Sequence, residues 1–164
     1  MPRLEPVDEE FFTTAPQRRS HVLDLPVSPE RVWRGLTASN PLWWCRLLTV
    51  EYASPRPFGV GAVRRAAVLG VLRLHERAFR WEEGRRQSFR ADSANLPLFR
   101  RFAEDHLLEP VAGGCRFTWT FAWEPAGRRH LVERTAAVCS ALAADTRRHF
   151  DGRPVTGRRS IEQG

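Results

Sequence analysis

One segment near the C-terminal end constrains this chain more than any other. From Cys115 to Trp123 the side chains alternate, with Cys115, Phe117, Trp119, Phe121 and Trp123 on one side and Arg116, Thr118, Thr120 and Ala122 on the other. A period of two marks a strand with one buried face, and a face this aromatic demands a large apolar partner. The chain offers one of sufficient length. Arg128 to Phe150 is rich in alanine and sets Leu131, Thr135, Val138, Leu142, Thr146 and His149 along one side at spacings of three and four, the pattern of an amphipathic helix. Gly152 and Pro154 stop it.

Upstream, Gln17–Leu25 alternates as a first strand and ends at Pro26. Ser28 is a helix N-cap, Pro29 takes the first helical position, and Glu30 suits the positive end of the helix dipole. Asn40-Pro41 restarts the chain as a second short helix carrying Leu42, Trp43 and Trp44. Strands are expected at Leu48–Ala53, Ala62–Leu69, Val71–Trp81, Arg86–Ala91, Phe102–Glu109 and Cys115–Glu124, with turns at Gly70, Glu82-Glu83-Gly84 and Ala112-Gly113-Gly114. The order predicts an α+β fold: a curved antiparallel sheet of about seven strands around a long C-terminal helix, with two short helices after the first strand. Residues 1–16 read as a loose N-terminal arm, 17–150 as the domain, and 151–164 as a polar C-terminal tail.

Composition narrows the function classes. The 164 residues are one domain's worth, and 42% hydrophobic with 27% charged argues against disorder. No stretch approaches the ~20 apolar residues of a membrane span, and the acidic N-terminus lacks the apolar core of a secretory signal, so the cytoplasm is the expected location. All 26 basic residues are arginine, giving a formal charge of +7. Fourteen of them fall in seven scattered pairs, which reads as a solvated surface and suits acidic partners, but no nucleic-acid motif accompanies them. Cys45, Cys115 and Cys139 have no C-x-x-C spacing and read as reduced, buried thiols. The five histidines show no metal-ligand spacing, and Gly59-x-Gly61 lacks the lysine of a phosphate loop, so neither a metal nor another cofactor is expected.

Three local patterns, in order, carry a family resemblance. Val27-Ser28-Pro29-Glu30-Arg31-Val32-Trp33 looks like a first-strand exit into a first helix. Gly59-Val60-Gly61-Ala62-Val63-Arg64 looks like a glycine-containing loop. Leu108 to Trp119, through Ala112-Gly113-Gly114, looks like a last hairpin. Over about residues 17–150 the chain resembles the SRPBCC (START, helix-grip) superfamily, and within it the polyketide cyclase/dehydratase-like branch. The resemblance implies a groove between sheet and helix that a ligand fills, and it turns the Phe102/Leu108 side of its strand inward. Glu104 and His106 then share the groove as an acid/base couple, form a plain buried ion pair, sit at the open rim, or are turned outward by a strand bulge.

The same resemblance implies a catalytic arginine on the strand Val71–Trp81, for which Arg77 is the best match, with His75 on the same face. That strand is ambiguous: Leu72, Leu74, Glu76 and Ala78 form one face, Arg73, His75, Arg77, Phe79 and Trp81 the other, and the apolar side changes along its length, which suggests a bulge. A pocket-side tryptophan is implied at Trp43 or Trp44 and a tyrosine at Tyr52; Phe102, Phe117, Trp119, Thr135 and Leu142 complete the expected lining.

Two functions follow. One is a cofactor-independent polyketide-type aromatase/cyclase or dehydratase of secondary metabolism; the alternative is a non-catalytic carrier or sensor of a lipid-like molecule. The expected partners are a hydrophobic small molecule and an acidic acyl carrier protein docking on Arg64-Arg65, the chain itself being a monomer or a homodimer.

Overall fold

The computed structural model describes residues 1–152. Seven strands form a single sheet: β1 (Gln17–Leu25), β2 (Leu48–Tyr52), β3 (Val63–Val68), β4 (Leu72–Glu82), β5 (Arg86–Ala94), β6 (Phe99–Val111) and β7 (Gly114–Pro125). Their spatial order is β1-β7-β6-β5-β4-β3-β2, and every neighbouring pair is antiparallel. Among the described residues three helices accompany them: α1 (Phe11–Thr14), α2 (Pro29–Leu36) and α3 (Arg129–Phe150). The expected fold is present, with α3 gripped by the concave face of the curved sheet.

The aromatic alternation of β7 does what its pattern demands. Cys115, Phe117, Trp119, Phe121 and Trp123 are all buried in the core that includes Cys139, Leu142 and Phe150 of α3. Register shifts in β4 between His75 and Glu76 and between Ala78 and Arg80, and in β6 between Phe99 and Arg101, bend the sheet. The second β4 shift explains the mixed faces of that strand. Leu74, Glu76 and Ala78 are buried, Phe79 stacks outward on Phe12, and Trp81 returns to the inner side against Phe89 and Trp33. Gly114 opens β7 where a Cβ would sit 1.9 Å from the carbonyl oxygen of Leu25, so the β1–β7 pairing requires glycine there.

Two expectations need correction. Only one helix, α2, lies between β1 and β2. Ser28 caps α2 as expected, accepting from the Arg31 amide, but residues 41–44 are a turn. Leu42 takes a left-handed backbone (φ 59) there, which a helix cannot continue through. The turn is anchored to α3: Trp44 Nε1 donates to Thr146 Oγ1 at 2.8 Å, and the Arg46 amide and guanidinium both bind Asp145.

The N-terminal arm is not loose. Leu4 donates to the Asp92 carbonyl and Glu5 to that of Arg100, and α1 buries Phe11 and Phe12 on the outer face of the sheet. That face accepts them because Ala103 and Ala122 leave room, while Arg101 lies over the Phe11 ring. The tail beyond residue 152 lies outside the described residues.

The β3–β4 turn supplies a stability test. Leu69 is left-handed (φ 54) and 60% exposed at a position where asparagine is at ease. Leu69→Asn should stabilise the fold by about 1 kcal/mol, seen as a rise of roughly 2–4 °C in Tm by thermal denaturation. An unchanged or lower Tm would mean that the leucine side chain holds the turn through its contacts.

Candidate functional site: a charged cluster in an apolar cavity

Between α3 and the sheet lies a cavity of about 400 Å³. Its walls are leucine, valine, alanine and phenylalanine from β2, β3, β4, β6 and β7, with Leu131, Thr135, Val138, Cys139 and Leu142 from α3. The exposed Leu69 and Val71 of the β3–β4 turn, Leu96, and Arg134 also border it. Besides Arg134, three buried charged side chains interrupt the apolar lining: Arg64 on β3, Glu76 on β4 and Glu104 on β6.

These three form one cluster. Arg64 and Glu76 are direct partners across the β3–β4 ladder, and Arg64 Nε donates to a Glu76 carboxylate oxygen at 2.5 Å. The Arg64 side chain then spans β4 and β5, its guanidinium 3.6 Å above the Phe89 ring, and its Nη2 pairs with Glu104 on β6. Arg64 is only 1% exposed. Its Nη1 is buried with no hydrogen-bond partner among the described residues.

Behind Glu104 sits a second layer. Trp119 Nε1 donates to its Oε2 at 2.9 Å, and His106 Nε2 lies 3.4 Å from the same oxygen without an aligned hydrogen bond. Gln87 Nε2 approaches His106 Nδ1 at 2.8 Å. An amide that donates there leaves the ring proton on Nε2, facing the carboxylate. His106 is fully buried. Burial first, and the Arg64 charge second, push its pKa down to about 3 against the partial opposition of Asp105 and Glu76. It is therefore a neutral imidazole at physiological pH.

The structure brings together some of the expected residues and separates others. Glu104 and His106 do point inward, Glu104 into the cavity and His106 behind it. Phe102, Thr135 and Leu142 line the cavity, and Trp119 reaches it through Glu104. Phe117 is packed beside His106 and Trp119 in the core rather than on the wall.

Arg77 does not enter the cavity. It lies on the outer face, paired with Asp92 at 2.8 Å, because the inward parity of β4 belongs to Leu74, Glu76 and Ala78. His75 is exposed on that same outer side. Trp43 is 58% exposed, and Trp44 is stacked on His149 under the end of α3, so neither borders the cavity. Tyr52 stacks on Phe58, donates to the Leu36 carbonyl at 3.2 Å, and has its hydroxyl pushed up to about 12 chiefly by burial. It is no acid for this cavity. Arg64-Arg65 cannot act as a docking pair: Arg65 is exposed and ion-paired with Glu51, while Arg64 is the centre of the site.

Arg64 and Glu76 were not expected as site residues. The faces of β3, Arg64/Ala66/Val68 and Val63/Arg65/Ala67, are too alike for alternation to choose between them. Glu76 did carry a signal, as a lone carboxylate on a face otherwise of leucine and alanine.

The cluster has defined chemical capacities. Arg64 holds both carboxylates and keeps its Nη1 amino group without a partner among the described residues. Glu76 and Glu104 can accept protons from a bound molecule. Cys139 lines the cavity as an inert thiol, pushed up to about 12 chiefly by burial. Among the described residues no group of three or more His, Cys, Asp or Glu could hold a metal ion.

A curved sheet gripping one long helix around an apolar cavity defines a helix-grip, small-molecule-binding class of protein. The chain belongs to the polyketide cyclase / dehydrase and lipid transport family, whose description matches residues 17–152. An uncharacterized protein of Mycobacterium tuberculosis is 34% identical over 125 residues, covering 75% of each chain. Among solved structures, DynU16, from the dynemicin biosynthetic locus, superposes with a TM-score of 0.65 at 16% identity, over 82% of this chain and 47% of that one. A protein of Nitrosospira multiformis gives 0.62 at 22% identity, over 83% and 96%. Likeness at these identities establishes the fold. No helix among the described residues is long and apolar enough to cross a membrane.

The neutral state of His106 is testable. An unfolded chain takes a proton on this ring near pH 6.5, while the folded protein refuses it until about pH 3. Across that window the unfolded state binds more protons, so His106 makes stability fall as pH falls. Denaturant unfolding of the wild type and His106→Gln should show a smaller acid-side loss in the variant. The His106 ring signals in NMR should not titrate between neutral pH and the onset of acid unfolding; a midpoint near the ordinary histidine value would contradict the burial and charge argument.

Proposed function

We propose that the cavity binds a hydrophobic or aromatic small molecule with an oxygen-bearing group against Arg64, and that the protein acts as a polyketide-type cyclase or dehydratase. The observation that supports this most is Glu104: a carboxylate on the wall of an apolar cavity, fixed by Arg64 and the Trp119 indole. Such a group is held where it can reach a bound ligand in a medium that strengthens its electrostatic effect.

In this reading a ligand carbonyl accepts a hydrogen bond from Arg64 Nη1. Glu104 removes a proton from the carbon between two carbonyls, and the electron pair moves onto the held oxygen. The enolate carbon then attacks a second carbonyl that the cavity has folded within reach. The new alkoxide recovers the proton from Glu104, and loss of water across the new carbon–carbon bond gives the dehydrated ring. His106 acts as a positioning residue, since its neutral ring faces Glu104 rather than the cavity. Delivery by an acidic acyl carrier protein belongs to this reading; the charge of +7 and the exposed Arg134 on the cavity lining support it.

One observation favours the carrier or sensor reading instead. Away from the cluster the cavity walls are almost wholly apolar, which suits a ligand with a single polar end. A short poly-β-ketone thioester separates the two readings. A cyclase converts it to a ring product detectable by liquid chromatography, and Glu104→Gln should lower turnover about 10²–10⁴-fold, the range of a lost acid–base group, with the variant still folded by circular dichroism. A carrier returns the thioester unchanged. Full turnover in Glu104→Gln would remove Glu104 from the chemistry.

A further inference from the structure

We propose that the cavity selects uncharged ligands bearing a carbonyl oxygen and excludes those ending in a carboxylate. This rests on the reading of the cavity as a ligand site and is independent of whether chemistry follows.

The cluster sets two carboxyl groups, Glu76 and Glu104, against one guanidinium, that of Arg64. With both ionised its formal charge is −1, and with one protonated it is zero; in neither state is there positive charge to spare. His106 contributes none, because its buried ring is neutral. The other cation on the cavity lining is Arg134, which is exposed to solvent.

The unfilled capacity of the cluster is a donor rather than a charge. Arg64 Nε serves Glu76, Nη2 serves Glu104, and Nη1 is buried without a partner among the described residues. A buried guanidinium N–H without an acceptor is costly; the Tyr52 hydroxyl lies beside the same guanidinium but is turned to the Leu36 carbonyl, so a ligand oxygen entering next to Arg64 on the cavity wall would complete the set. The Phe89 ring closes one face of the guanidinium at 3.6 Å and cannot supply an acceptor.

A ketone, ester or thioester oxygen supplies an acceptor without charge. A carboxylate supplies the same acceptor but adds a negative charge beside Glu76 and Glu104, where apolar walls and burial leave little solvent to screen it. Displacing either glutamate from Arg64 would leave that carboxylate buried and unpaired. The cluster thus accepts by hydrogen bonding and rejects by charge.

The experiment uses the full chain and Nile red, an uncharged dye whose fluorescence reports apolar cavities. A medium-chain methyl ketone and the fatty acid of equal chain length compete for the dye at neutral pH. The ketone should displace it at a concentration at least about tenfold lower, a difference of ~1.4 kcal/mol. Glu76→Gln removes one negative charge beside Arg64 and should narrow that ratio; Glu104→Gln serves the same purpose if the first variant fails to fold by circular dichroism.

Equal displacement by ketone and acid in the wild type would overturn the charge selection while leaving the ligand site in place. An unchanged ratio in both folded variants would overturn the assignment of selection to this cluster. Failure of the protein to bind the dye or either competitor would overturn the ligand-site reading itself.

Discussion

The guanidinium of Arg64 is the interaction around which this molecule is arranged. Four adjacent strands, β3 to β6, meet at it: its own strand, Glu76 on the next, the Phe89 ring on the third and Glu104 on the fourth. Removing one member of a buried ion pair typically costs about 3–5 kcal/mol, because the partner is left charged and dry. A cluster of well-packed apolar residues would be no less stable. A fold that places a charged cluster here has accepted a constraint that apolar packing would not impose, and the cavity beside the cluster gives it a use.

The surrounding structure keeps the cluster rigid. Trp119 holds Glu104 from behind by a hydrogen bond, the His106 ring lies against it, and Gln87 fixes the imidazole. On the opposite face of the sheet Asp105, one residue from both Glu104 and His106, is buried under Arg80, Arg86 and Ser88. The parity of β6 therefore sends two carboxylates in opposite directions, each to its own arginines. The docked N-terminal segment adds to the outer layer, since Arg80 also pairs with Glu9. At the far end of α3, burial would raise Asp145, but the Arg46 amide and guanidinium hold its carboxyl below the ordinary range and tie the 41–47 segment to the helix.

The fold was legible because its strongest signals are of single period: the aromatic side of β7, the helical stripe of α3 and the capped start of α2. The inward face of β6 was legible once the resemblance set its parity, which is why Glu104 and His106 lie where expected. Arg77 was misplaced because both faces of β4 carry charge and the bulge between Ala78 and Arg80 changes the inward side just beyond it. The residues that replace it were within reach. Val68 pairs with Leu72 across the β3–β4 turn, and a turn centred on Gly70 sets Glu76 opposite Arg64. That pairing turns two isolated charges into one cross-strand pair on an apolar face. Phe11 and Phe12 were similarly visible as adjacent aromatic residues, but their receiving surface, Ala103 and Ala122, exists only after the sheet is assembled.

The central claim is that a ligand in this cavity completes the hydrogen bonding of Arg64. A crystal structure of the protein with a bound small molecule, either carried through purification or added as a methyl ketone, tests it most directly. The account predicts Arg64 held between Glu76 and Glu104, with a ligand oxygen within hydrogen-bond distance of Nη1 and the apolar part of the ligand against Phe102, Val138 and Leu142. A ligand whose polar group instead lies toward Arg134, or an Arg64 side chain turned away from both glutamates, would contradict it.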